Sequence, residues 1–198
     1  MKFGTILLDP PWQQQLTGRY LRRRHSRATT LPYPTMSVDD IAALPVSELA
    51  ADESHCWLWT TNQFLRHGFE LLAGWGFKYL CPVHWIKPSG CGAWFVSRSQ
   101  TLLFGYKGKL RMREKYKPNV LFAPSTRHSK KPASTYDLIE SVSFGPYLEV
   151  FARNTRPEWT AAGNEIDGQD IRGALKDLAD APLHTAYARC QEEAQPHR

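Results

Sequence analysis

Four consecutive residues, Asp9-Pro10-Pro11-Trp12, put a carboxylate, a proline-stiffened backbone and a large flat ring into one short stretch. Asp9 can accept a hydrogen bond from an amino group, the Pro10 carbonyl can do the same, and Trp12 can stack on a planar base. Together they describe a pocket for an aromatic amine. The plain structural alternative is a turn that ends a strand, with Trp12 in the core.

The elements around this stretch decide where it sits. Phe3-Gly4-Thr5-Ile6-Leu7-Leu8 is a short apolar run that reads as a buried strand, and two prolines cannot continue a sheet ladder. Asp9 therefore stands at the carboxyl end of a buried strand, the edge where open α/β sheets bind ligands. Residues 13–35 form a long polar loop. Ser37 caps a helix, with Asp40 reaching back to it, and Ile41, Leu44 and Leu49 face inward around Pro45. His55–Thr60 is a strand. Thr61 or Asn62 caps a helix whose Phe64, Phe69, Leu71 and Leu72 face the core and which Gly74 and Gly76 end. Phe77–Ile86 and Thr101–Tyr106 are further strands, the first leading into a turn at Ser89–Gly92. A helix over Ala133–Val142 starts at Pro132, with Tyr136 on its apolar side, and Tyr147–Ala152 is a strand. Strands alternating with helices indicate an α/β layer fold with a largely parallel sheet.

Composition narrows the class. With 198 residues and 42% hydrophobic content, one domain with a sizeable core is expected. No apolar run approaches the ~18 residues of a membrane helix. Cys56, Cys81, Cys91 and Cys190 are widely spaced and lack a CxxC pair, so they read as reduced thiols of a cytoplasmic protein, with no metal site. Residues 1–131 carry a net charge of +11 and residues 132–198 a net −5. Two basic clusters dominate the first part, Arg19, Arg22, Arg23, Arg24 and Arg27, and Lys107, Lys109, Arg111, Arg113, Lys115 and Lys117. Basic loops flanking a base-sized pocket point to a phosphate-backbone partner. Solvated loops are the alternative.

The ordered set of DPPW, Tyr33–Asp40, Trp59, Trp85-Ile86-Lys87, His128–Pro132 and Gly163-Asn164-Glu165 resembles the MT-A70 family of adenine-N6 methyltransferases, from about residue 3 to 168. The resemblance implies a Rossmann-like class I methyltransferase fold in permuted (beta-class) motif order, with helices on both faces of the sheet and S-adenosyl-L-methionine as methyl donor. It divides the chain into a methyltransferase domain, 1–168, and a C-terminal helix and tail, 169–198. Asp9, Pro10, Pro11 and Trp12 are then catalytic. Ser129, Lys131, Glu149, Phe151, Arg153, Asn164 and Glu165 match donor-binding positions. Tyr33, Trp59, Trp85 and Lys87 would wall a flipped adenine, with core packing as the alternative for the rings, while Arg22, Arg23, Arg24, Lys109, Arg111 and Arg113 would hold the backbone. Gln100 departs from the family, which often has Glu there.

The expected reaction is methyl transfer to the N6 amine of adenine in DNA, in a bacterial- or phage-type member. The same reaction on RNA, or a catalytically silent nucleic-acid-binding subunit, are the alternatives. A homodimer or heterodimer would help such a chain grip its substrate.

Overall fold

The computed structural model describes residues 2–13, 35–91, 94–125 and 130–181. Its seven strands are β1 Phe3–Leu8, β2 Ala50–Thr60, β3 Lys78–Cys91, β4 Ser97–Lys107, β5 Val120–Phe122, β6 Tyr147–Val150 and β7 Trp159–Ala162. They form one sheet in the order β5-β3-β4-β2-β1-β6-β7. All run parallel except β4, which is antiparallel to both β2 and β3. The sheet is thus mixed and mostly parallel, as an α/β Rossmann-like methyltransferase fold requires.

Alternating side chains feed two cores, because successive strand residues point to opposite faces. On one face Ile6, Leu8, Cys56, Leu58 and Leu103 pack with Ile41, Leu49, Leu71, Leu72 and Leu175. These come from helices α1 Val38–Ala42, α2 Val46–Leu49, α3 Leu65–Gly74 and α6 Ile171–Asp180. On the other face Leu7, Trp57, Trp59, Trp85, Leu102 and Phe104 pack with Ile139 and Val142 of α4 Ser134–Val142. Helices therefore cover both faces. Burial on both sides explains why β2 reads as a continuous apolar run rather than an alternating one. A short helix, α5 Asn164–Asp167, follows β7.

Local signals work where they were read. Asp40 N–H donates to Ser37 Oγ at 3.1 Å, and Ser37 Oγ donates back to Asp40 Oδ2 at 2.8 Å. Ile41 and Leu44 are buried before Pro45 breaks the helix. Four expectations fail. Neither Thr61 nor Asn62 caps α3 with its side chain, since a 3-10 turn over Asn62–Phe64 precedes that helix. Phe69 is 38% exposed and meets Tyr79 edge-on at 4.9 Å instead of entering the core. The strands expected to end at Ile86 and start at Thr101 extend to Cys91 and from Ser97, so Ser89–Cys91 of the expected turn belong to β3, and Gly92 lies outside the described residues. β5, short and at the sheet edge, lay hidden in a loop.

A fifth difference bears on function. Because β4 runs antiparallel, its end at Lys107 lies level with Ser54, near the start of β1, and not with Asp9. The basic cluster that follows leaves from the amino edge of the sheet. Arg113 N–H donates to the Val142 carbonyl at 2.9 Å and its guanidinium donates to Tyr147 Oη, while Arg111 pairs with Glu53 at 3.1 Å. Lys109, Arg111 and Arg113 therefore do not flank the Asp9 loop. The other basic cluster, including Arg22, Arg23 and Arg24, lies outside the described residues, as do Tyr33 and Ser129.

Candidate active site

The parallel strands β1, β2, β6 and β7 end on one edge, and the residues just past them converge. Asp9 follows β1, Trp59 lies near the end of β2, Phe151 and Arg153 follow β6, and Glu165 follows β7 on α5. α4 runs back down the sheet, so its amino end arrives at the same edge carrying Lys131, Thr135 and Tyr136. These side chains, with Leu7, Lys130, Glu149 and Asn154, line a cavity of about 280 Å³. That is just under the ~300–1,000 Å³ usual for small-molecule sites.

Lys131 closes the floor. Its Nζ donates to Asp9 Oδ1 at 2.7 Å and Oδ2 at 2.6 Å, and sits 5.4 Å from the centre of the Trp59 ring. An ionised carboxylate has about four acceptor positions, so Asp9 can hold Lys131 and still accept from an amine. The Pro10 carbonyl accepts the Trp12 N–H at 2.8 Å and the Pro11 carbonyl accepts the Met36 N–H at 2.9 Å. Those two bonds fix the loop, and Pro10 retains a second lone pair.

Glu149 is the most perturbed acid of the site. Burial, reinforced by the nearby Asp9 carboxylate, outweighs the Tyr136 hydrogen bond, and its carboxyl is pushed up to about 7. Tyr136 Oη donates to both Glu149 oxygens, at 2.9 and 3.0 Å, and burial raises the phenol in turn. Arg156 stacks over the Tyr136 ring at 4.8 Å and pairs with Glu140 at 2.9 Å, which also accepts the Trp159 indole N–H at 2.8 Å. This network pins α4 to the loop after β6. Arg156 is thus a structural tie.

Two further features mark the edge. Phe151 is held at φ 67°, in the left-handed region that costs a residue with a side chain roughly 1–2 kcal/mol. Its neighbour Ala152 donates to the Ala162 carbonyl at 3.0 Å, and Gly163 packs so close that an added Cβ would lie 2.2 Å from the Ala152 oxygen. That packing over-determines the turn at which Phe151 lines the cavity, while its side chain also packs against the core cluster of Ile6, Leu8 and Leu175. Thr135, fully buried, has a hydroxyl without a partner among the described residues. A buried polar atom left unpaired is rare, and among the described residues only the Thr61 hydroxyl shares that state.

Other expected residues fall elsewhere. Trp12 is 4% exposed, stacks on Phe64 at 5.1 Å and donates its indole N–H to the Trp59 carbonyl at 3.1 Å. It holds the loop from the core and offers no face to the cavity. Trp85 is buried, donates to the Ala123 carbonyl at 2.8 Å and carries Lys87 over its ring at 4.3 Å. Asn164 is exposed at the start of α5, and Asn154 takes the place at the cavity. Arg153 lies 3.6 Å from Glu165. Sequence reading missed Thr135, Tyr136 and Asn154 as site residues. The signal available was that α4 begins beside Lys131, which brings its first turn to the edge that holds Asp9.

A mostly parallel sheet with a carboxylate, a lysine and a buried acid at its carboxyl edge defines the class as a Rossmann-like methyltransferase fold. The chain belongs to the MT-A70 family, whose model matches residues 3–165. It is 29% identical over 201 residues to the N(6)-adenosine-methyltransferase MT-A70-like protein of Drosophila melanogaster, covering 95% of this chain and 30% of that one. It is 28% identical over 180 residues to the human N(6)-adenosine-methyltransferase catalytic subunit METTL3, covering 84% and 29%. To the human N(6)-adenine-specific methyltransferase METTL4 it is 30% identical over 186 residues, covering 83% and 37%. The chain thus spans about a third or less of the length of most of these relatives. They are eukaryotic.

Proposed function

We propose that the chain transfers a methyl group from S-adenosyl-L-methionine to the N6 amine of adenine in a nucleic acid. The observation that carries this reading is the Asp9–Lys131 pair in the cavity that Glu149, Tyr136 and Phe151 also line. The residues fit the donor in kind. Lys131 and the amino end of α4 favour a carboxylate, Phe151 offers a ring face, Glu149 and Glu165 accept from hydroxyls, and the orphan Thr135 hydroxyl supplies a further contact. When bound, the donor would supply an electrophilic methyl group.

The chain's own work is positioning and electrostatics. An exocyclic amine is a poor nucleophile because its lone pair is delocalised into the ring. Asp9 and the Pro10 carbonyl, each accepting one amine hydrogen, localise that lone pair. Lys131 holds Asp9 in place through both carboxylate oxygens. A paired base must first leave its stack, at a cost of a few kcal/mol.

DNA in a bacterial- or phage-type setting is the target proposed from the sequence. The adenosine in the names of the fly protein and METTL3 favours RNA as the second reading. The test is labelled methyl transfer to unmethylated DNA and RNA pools, with nucleoside mass spectrometry. N6-methyladenine in one pool, lost in Asp9→Ala, supports the reading and chooses the substrate. Undiminished labelling with Asp9→Ala refutes it.

A further inference from the structure

Between Glu70 and Glu114 the chain has no Asp or Glu, while Lys78, Lys87, Arg98, Lys107, Lys109, Arg111 and Arg113 fall inside that interval. The middle of this acid-free segment is the β3–β4 hairpin. β2 pairs with β4 only as far as Thr60–Thr101, whereas β3 and β4 continue through Ile86–Ser99 to Cys91–Ser97. The hairpin therefore overhangs the sheet on the edge that holds Asp9, by at most ~14 Å for the four residues of β4 before Thr101. It is built to hold its shape. Gly90 approaches the Ser97 carbonyl so closely that an added Cβ would lie 2.0 Å away, and Arg98 Nε donates to the Lys87 carbonyl at 2.9 Å.

At the tip of this arm Trp94 is 95% exposed and Phe95 88%, and Phe122 on β5, paired with Ile86, is 80% exposed. Large rings in water on a stiff support are contact residues awaiting a flat partner. A protein partner would be expected to meet such rings with an apolar patch bordered by acids. The absence of any acid in the arm, with Lys87 and Arg98 at its base, instead matches a polyanion with flat faces. Rings that stack on unpaired bases and cations that follow the backbone are the standard means of gripping a single strand.

We infer that the β3–β4 hairpin is a nucleic-acid clamp, in which Trp94 and Phe95 stack on unpaired bases next to the target while Arg98 meets the backbone. This rests on nucleic acid being the substrate class proposed above, and it adds that the strand bound at the hairpin is unpaired. Neither ring belongs to the cavity, so they act on substrate affinity and not on the reacting atoms.

The test uses the whole chain and fluorescence anisotropy with labelled single-stranded DNA and RNA of about twelve nucleotides, a matching duplex, and an abasic strand of equal length. The double variant W94A/F95A should weaken single-strand binding roughly 10–100-fold and leave abasic-strand binding unchanged, with Trp94→Phe restoring most of the loss. In methyl transfer the double variant should raise KM by a similar factor and keep kcat. Arg98→Gln should lower the dependence of affinity on salt, which W94A/F95A should not. Equal affinity of W94A/F95A and wild type overturns the inference. So does an equal loss on the abasic strand, or a wild-type dimer in sedimentation that the double variant dissolves. Ring-dependent binding without methyl transfer by wild type would sink the catalytic proposal and leave the clamp standing. Methyl transfer with ring-independent binding would do the reverse.

Discussion

Glu149→Gln removes a carboxyl that the fold holds protonated below about pH 7 and leaves an oxygen to accept from Tyr136. The group ionises near 4.5 in the unfolded chain and at about 7 in the folded one. Between those pH values the folded state holds the extra proton, so stability falls as pH rises from 4.5 to 7 and is level above. At 1.36 kcal/mol per pH unit the whole loss is ~3 kcal/mol. His55 acts with the opposite sign. It is buried and meets Ser143 Oγ at 2.8 Å through Nδ1, and burial, partly offset by the Arg111 backbone, lowers it from 6.5 to about 4. Its neutral form is favoured in the fold, so stability falls as pH drops from 6.5 to 4, again by ~3 kcal/mol. The two contributions cancel between pH 4.5 and 6.5 in the wild type, and Glu149→Gln uncovers the His55 slope. Urea unfolding of both proteins from pH 4.5 to about 8 measures this. The stability of the variant minus that of the wild type should grow by about 2–3 kcal/mol up to pH 7 and then level off. A difference independent of pH would refute the reasoning, because it would mean that Glu149 ionises in the fold as it does in water.

Thr135→Val should stabilise the donor-free protein by about 1–3 kcal/mol, by removing an unpaired buried hydroxyl, and should weaken donor binding in calorimetry. No change in either quantity would mean that the hydroxyl is already satisfied. Lys131→Met leaves Asp9 without its cation. With a quarter of the Asp9 side chain exposed, the loss in urea unfolding should fall below the ~3–5 kcal/mol of a fully buried pair, while methyl transfer should be abolished. Gly163→Ala sets a Cβ against the Ala152 backbone and should lower the Tm by well over the few degrees that ~1 kcal/mol produces, with donor affinity falling as Phe151 shifts.

β1 and its Asp9 end were legible because an apolar run followed by two prolines has few other folds. The α1 cap was legible because it is wholly local. Lys131 was placed by resemblance, but its partner was not, since the bond to Asp9 spans 122 residues and depends on where α4 begins. Tyr136 looked like one apolar residue of a helix face, because a ring that buries its body and donates from its tip has the same period as one that only packs. The misplacement of Lys109, Arg111 and Arg113 came from strand direction, which composition does not carry. Connection length does carry it. Two strands joined by a handful of residues must be antiparallel, so the second returns to the opposite edge. Trp12 and Trp85 share the ambiguity of all large rings, which pack as readily as they stack.

Three features that break ordinary packing rules share one edge, while the left-handed Tyr116 and Glu158 and the unpartnered Thr61 hydroxyl lie outside the cavity lining. Phe151 in the left-handed region, the unpaired Thr135 hydroxyl and the raised Glu149 all border the cavity beside Asp9. A strained torsion, an orphan hydroxyl and a suppressed charge each lower stability, and each could be removed by an ordinary substitution. Their coincidence at the carboxyl end of a parallel sheet, where the resemblance also points, is what a binding site demands of a fold. His55 is the informative contrast at the amino edge. It is buried and shifted as far, yet it is hydrogen-bonded to Ser143 and stacked edge-on against Phe104 in the core. A shifted group signals function when its neighbours are also strained or unsatisfied, and Glu149 meets that condition where His55 does not.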